Sequence, residues 1–225
     1  MSWTKQFFKS SIGRKFGMAL SALFLMIFLL QHFAINFTST FSPEIFNELS
    51  HFMGTNPAVQ FLLQPVLIFG VLYHFIMGFV LQAQNRAARG SYKYVSYKGS
   101  ENSSWFSRNM IYTGLVILCF LGLHFYDFWI PEMNYKYIEF NPADTERYYP
   151  ELVHKFENPI RVSIYVISFV LLAMHLLHGF QSSLQSVGAS HPKYSSLIEK
   201  LGKGYAILIP AGFIFIALFH HLSHF

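Results

Sequence analysis

Five runs of about twenty mostly apolar residues dominate this chain, and each is long enough to cross a bilayer as a helix. They fall at 17–37, 58–82, 110–130, 160–180 and 204–222. In hydrocarbon every backbone polar group needs a partner within its own segment, so such runs are read as helices. The expected fold is all-α: one integral membrane bundle of five transmembrane helices, a single domain over residues 1–225. The chain is only 12% charged, against about 25% in an average soluble domain. That argues against a disordered tail or an ordinary soluble enzyme. The single Cys119 lies inside the third run and reads as a packing residue, with no disulfide or thiolate cluster available. The first run is too long for a cleaved signal and lacks a small-residue cleavage site after it. Pro65 and Pro210 fall within spans and are expected to kink them, which neighbouring helices can accommodate.

Charge sets the orientation. Twelve of the sixteen Lys and Arg residues lie before span one, between spans two and three, or between spans four and five. Nine of the eleven acidic residues, all but Glu101 and Glu199, lie on the opposite side. The positive-inside rule then places the N-terminus in the cytoplasm and the C-terminus outside. The net charge of +5 is mainly topogenic and calls for no nucleic acid, although the basic inner face is also open to a protein partner. Outside, FSPEIFNELSHF reads as a short amphipathic helix capped by Ser42 with Pro43 in its first position. Segment 131–159 reads as the longest loop, also outside, and 83–109 as a basic inner connection.

The intramembrane polar chemistry is mostly imidazole. His32, His74, His124, His175 and His178 fall within spans one to four, where ionisable groups are costly and usually functional. Neutral imidazole is a ligand for iron, copper and zinc. Helical rise sorts these residues by depth. His124 is about 21 Å along span three from its inner end, and His74 about 12 Å from the inner end of span two. His32 and His124 therefore share an outer level, and His74 and His175 an inner one. Two imidazoles from different helices can clamp a flat macrocycle from both faces, as axial ligands of haem iron. Two such sites in the four-helix core of spans one to four would carry electrons across the membrane. One internal echo accompanies the histidines: His74-x-x-x-Gly78 and His175-x-x-x-Gly179. A glycine one turn beyond the ligand leaves a notch for a porphyrin edge or a close helix, though small residues pack membrane helices in any case. His178 is nearly on the face of His175 and is the alternative ligand; the paired glycine favours His175. His220, His221 and His224 read as interfacial or solvated, and His51, His154 and His191 as loop residues without a site.

Five spans, an inside N-terminus and one histidine on each of the first four spans resemble the dihaem cytochrome b membrane subunit of succinate dehydrogenase and fumarate reductase. Ser10-Ser11-Ile12-Gly13-Arg14-Lys15 before span one and the two H-x-x-x-G segments are similar to that family, over almost the whole chain. The resemblance implies two haem b groups: His74 and His175 on the inner iron, His32 and His124 on the outer. It implies flavoprotein and iron–sulfur subunits on the cytoplasmic face, menaquinone as the quinone substrate, and a bacterial cytoplasmic membrane. The chain itself would then carry electrons and quinone without converting succinate. Relatives use acids near the outer haem, a part open to Glu44, Glu48 or Asp127, each of which has a bland reading as a solvated or interfacial acid. Ser11, Arg14 and Trp105 are candidates to hold haem propionates. Competing readings are the cytochrome b subunit of a hydrogenase or formate dehydrogenase, a His-lined metal transporter, and an anchor without cofactor.

Overall fold

A computed structural model describes Gln6, residues 10–89, 105–189, His191 and residues 193–223. Lys5, Lys9, Lys93, Lys98, Glu101 and His224, which enter the charge and histidine arguments above, lie outside these residues. Among the described residues five helices are long and apolar enough to cross a membrane: Ser11–Thr38, Val59–Ala88, Met110–Ile138, Pro159–Ser186 and Ser195–Leu222. The described residues contain no strand. All five spans run past the expected bounds, because polar first and last turns remain helical where caps satisfy them. The Ser10 hydroxyl accepts from the Gly13 N–H at 2.9 Å to start span one. The Asn158 side chain accepts from the Ile160 and Arg161 N–H groups to start span four. Two residues past the end of span four stands Gly188, whose φ of 82° suits a residue without Cβ, with the Ala189 N–H returning to the Leu184 carbonyl.

Span one packs on spans two, four and five; span four packs most extensively on span five and also against three. Spans one and four therefore lie centrally, with five closing one flank. Buried residues concentrate in the outer half, where Tyr165, Phe169, Ile209, Phe213 and Ile216 meet Phe46, Leu152 and Phe156 of the outer segments. Spans one to three are at most 11% buried in their most apolar windows, so their outward faces are apolar and suited to lipid. Cys119 belongs to those outward faces: it is exposed rather than packed, since the inward positions of span three are taken by Thr113, Phe120 and Asp127.

Two prolines are absorbed rather than ending a helix. A π-turn, Val59–Leu63, stands two residues before Pro65, and another, Phe125–Trp129, two residues before Pro131. Proline lacks the N–H for the carbonyl four residues back and crowds it; widening the turn relieves both. Span three therefore continues to Ile138 through a third π-turn, Asn134–Ile138. The expected loop 131–159 is corrected accordingly: it is helical to Ile138 and again over Tyr148–Phe156. Span five is continuous through Pro210.

The outer end is capped by two short helices. Pro43–Thr55 starts as expected, with the Ser42 hydroxyl accepting from the Ile45 N–H and Pro43 in the first turn. It packs on Tyr148–Phe156, and Asn47 Oδ1 accepts from the Tyr149 N–H at 2.7 Å. Arg147 is held between the Tyr135 and Tyr148 rings, 4.2 and 4.3 Å from their centroids, and pairs with Glu132 and Glu151. Burial opposes its charge, but the hydrogen bonds to Glu132 and Glu151 hold its pKa above the ordinary value. Burial, with the Glu132 charge behind it, pushes the Tyr148 phenol up to about 12.

This cap overturns the solvated reading of His220. His220 is 1% exposed, because Tyr148–Phe156 folds over the bundle end and stacks Phe156 on its ring. Its Nε2 lies 2.9 Å from the Ser39 hydroxyl, joining spans five and one. His221 Nδ1 lies 2.8 Å from the Phe156 carbonyl. His154 is in a helix rather than a loop, exposed beside Glu157, and His51 falls within the expected outer helix, against the Tyr148 ring. His191 remains outside the helices and exposed.

Close packing of span five on span one depends on Gly212, where a Cβ would overlap the Phe33 ring. Overpacking a core costs about 1–3 kcal/mol. Gly212→Leu should therefore lower the thermal midpoint of the detergent-solubilised protein by several degrees. An unchanged midpoint would mean that the two spans separate without cost.

Candidate functional site

The histidine rings meet at two levels, those predicted from helical rise. His32 of span one faces His124 of span three with ring centroids 5.7 Å apart at 85°. His74 of span two faces His175 of span four at 6.3 Å and 66°. Each pair thus joins helices that are not consecutive. His178, beside His175 on span four, is partly buried, as are the four paired histidines.

The separations suit a metal ion held between the rings. Imidazole–metal bonds are about 2 Å, so two in line place the ligating nitrogens about 4 Å apart and the centroids somewhat further. Each pair supplies two ligands only, and no group of three or more His, Cys, Asp or Glu that could hold a metal ion occurs among the described residues. Two axial nitrogens per site suit a macrocycle that brings its own equatorial ligands. The residues present therefore fit haem better than a bare ion.

The inner pair is held from behind. Ser21 of span one lies with its hydroxyl 3.2 Å from His74 Nδ1. Thr113 of span three lies with its hydroxyl 3.2 Å from His175 Nδ1. His175 also rests on the glycine next to that threonine: a Cβ at Gly114 would sit 3.6 Å from its Cε1. The notches at Gly78 and Gly179 face the tips of Met18 and Met110, at 3.7 and 3.5 Å from a would-be Cβ. Neither admits a close helix backbone.

The outer pair is packed among aromatic rings. Phe28 stacks on His32 at 5.5 Å, and Phe120 on His124 at 5.9 Å. Phe213 of span five also borders His32. One turn beyond His124, Asp127 is 1% exposed. It sits in the π-turn before Pro131, accepts from the Tyr165 hydroxyl at 2.9 Å, and pairs with Arg161 Nε at 3.2 Å. Its Oδ1 is buried without a partner among the described residues. A shallow apolar cavity of about 190 Å³, lined by Leu123, Asn158, Ile160, Arg161 and Ile164, opens beside this cluster.

The remaining candidates lie apart from the paired rings. Glu44 and Glu48 are exposed on the outer helix. The Glu44 backbone N–H and then the Ser42 hydroxyl hold the Glu44 carboxyl below its usual range. Ser11 is exposed in the first turn of span one, Arg14 is half-buried, and Trp105 is exposed in the single turn Trp105–Arg108 at the inner end of span three.

Sequence reasoning missed Ser21, Thr113, Phe28, Phe120 and Tyr165. For the first four a signal exists. Met18, Ser21, Phe28 and His32 recur as Met110, Thr113, Phe120 and His124 at one constant offset. Spans one and three are thus two copies of one pattern, M-x-x-[S/T]-x6-F-x3-H, each facing an H-x-x-x-G helix. Sparse matches over fifteen residues are invisible to a search for contiguous repeats.

Fold and site together define a membrane protein whose described residues form five spanning helices, with two facing pairs of histidines inside the bundle. The chain is similar to the succinate dehydrogenase cytochrome b558 subunit of Bacillus subtilis (strain 168), 23% identical over 219 residues, which cover 97% of this chain and 94% of that protein. The resemblance to the cytochrome b membrane subunits of succinate dehydrogenase, read first from the four histidines, is thereby supported over nearly the whole length. No family model matches the chain, and no solved structure matches it.

Proposed function

We propose that this chain is the membrane anchor and electron carrier of a succinate:quinone oxidoreductase, seated in a bacterial cytoplasmic membrane with its N-terminus inside. The observation that carries the reading is the meeting of four intramembrane imidazoles in two edge-to-face pairs at different depths, within a chain similar end to end to a succinate dehydrogenase cytochrome b subunit. His74 and His175 hold the inner haem b, and His32 and His124 the outer. When bound, haem would supply one-electron exchange between ferric and ferrous iron.

The chain's own residues do the rest. The basic inner connections receive the iron–sulfur subunit, which itself meets a flavoprotein that interconverts succinate and fumarate. Arg14, with Ser11 and Trp105 at the same inner end, would hold the propionates of the inner haem. At the outer level, quinone takes up or releases two electrons and two protons. Asp127, buried one turn from His124 with one unpartnered oxygen, is better placed than exposed Glu44 or Glu48 to hold such a proton. Tyr165 and Arg161 orient its carboxylate, and the apolar cavity at Arg161 suits a menaquinone ring.

The test is a reduced-minus-oxidised spectrum of the purified complex, with haem and chain quantified together. Two b-type haems per chain are expected, with co-purifying flavoprotein and iron–sulfur subunits. Fewer than one haem per chain, or hydrogenase or formate dehydrogenase subunits in their place, refutes the reading.

A further inference from the structure

We infer that Ser21 and Thr113 are positioning residues that fix the tautomer and orientation of the inner pair of iron ligands and thereby set the inner haem's redox potential. The inference rests on the haem reading above and goes beyond its ligand assignment.

Proton bookkeeping at each hydroxyl carries the argument. The Ser21 hydroxyl donates to the Met18 carbonyl at 2.8 Å, and the Thr113 hydroxyl to the Met110 carbonyl at 3.0 Å. A hydroxyl has one proton and two lone pairs. With the proton committed to its own helix, each oxygen can meet the histidine Nδ1 at 3.2 Å only as an acceptor. His74 and His175 must then both carry their proton on Nδ1. That leaves Nε2 of both rings with its lone pair available for iron. Ser21 and Thr113 are both buried, 9% and 5% exposed as residues, so water competes little for either bond.

The same device occurs twice, on spans one and three, at matching places in the repeated pattern. It is confined to the inner level. His124 Nδ1 is buried without a hydrogen-bond partner among the described residues. The His32 ring nitrogens lie 3.4 and 3.5 Å from the Asn36 amide nitrogen, which is a donor rather than an acceptor and also donates to the His32 carbonyl at 2.8 Å. An acceptor on Nδ1–H raises the basicity of a ligating imidazole and fixes its ring. A more basic ligand favours ferric iron, so each bond lowers the midpoint potential of the iron it faces.

The experiment is a redox titration of the purified complex carrying Ser21→Ala or Thr113→Ala, followed optically and by low-spin haem EPR. Each variant should raise the midpoint of the inner haem and shift its EPR g values while the outer haem keeps both. Ser21→Thr and Thr113→Ser, which keep the hydroxyl, should restore them. Ser168→Ala is the control: Ser168 is equally buried and donates to the Ile164 carbonyl of its own helix, and its loss should move neither haem. Loss of the inner haem alone in the alanine variants, with retention in the hydroxyl-keeping ones, also supports the inference. Loss in both kinds of variant assigns the effect to packing and overturns it. Two haems in every variant, with unchanged inner potential and g values, overturn it while leaving the functional reading intact. A wild-type complex without haem ends both.

Discussion

Replacing His175 with alanine should leave the complex with one haem per chain instead of two, the lost one being the inner. The reason is geometric. The His175 ring is the one that faces His74 across the bundle, and it is fixed there by Thr113 and by the bare backbone at Gly114. On the proposed reading the variant would leave the inner haem one protein ligand, His74, and no clamp between spans two and four. His74→Ala should have the same effect from the opposite side. His178→Ala should retain both haems, because that ring lies one turn along, beside the pair and not across from His74. A pyridine haemochrome assay against quantified chain decides the matter. Two haems retained in H175A with one lost in H178A would transfer the ligand role to His178. Two haems retained in H74A, H175A and H178A alike would remove the inner site altogether. Electron transfer from the cytoplasmic partners to quinone should fall by orders of magnitude in H175A, since it opens a gap in the relay. Succinate oxidation by an artificial acceptor at the iron–sulfur subunit should persist.

The depth of each histidine was legible because helical rise is constant and charge fixes which end of each span is inner. Two residues on oppositely running helices can then be compared in height without knowing how the helices pack. The outer Ser42–Pro43 helix start was legible for a similar reason, since capping is local. What was not legible depended on tertiary placement. Pro131 looked like the end of span three, and a π-turn carries the helix past it. That same turn brings Asp127 inward, so a residue that read as an interfacial acid is buried against span four. His220 read as solvated because nothing local announces that Tyr148–Phe156 will cover it. Cys119 read as packed because span three is apolar all round, and apolar composition does not tell an inward face from an outward one. Ser21 and Thr113 were hidden by chemistry that is ordinary in membrane helices: a hydroxyl bonded to its own helix carbonyl draws no notice until a histidine is found at its other lone pair.

Asp127→Asn should slow electron exchange with quinone about 10²-fold or more, the range in which loss of a positioned proton donor or acceptor falls, while both haems are retained. Asparagine keeps the shape and can still accept from the Tyr165 hydroxyl, but it carries no charge and cannot take up a proton. The change therefore separates proton handling from packing better than alanine would. A second signature has a definite sign. Removing a negative charge one turn from His124 favours ferrous iron, so the outer haem's midpoint should rise, on the order of 60 mV for each tenfold change in its redox equilibrium. Arg161→Gln removes the opposing charge and should move the same midpoint downward. The inner haem, a level away, should respond far less to either. Some loss of stability is expected in D127N, since a buried carboxylate pair is broken; it should stay below the about 3–5 kcal/mol of a fully buried pair, because the Arg161 side chain is 28% exposed and can turn to water. Haem content measured beside turnover controls for that loss. Unchanged quinone turnover in D127N would make Asp127 a structural partner of Arg161 and Tyr165, and would return the proton-handling role to another group on the outer face. Slowed turnover with an unmoved outer midpoint would place Asp127 on the proton path but electrostatically remote from the iron. Both effects together are what a buried carboxylate serving the quinone beside the outer haem requires.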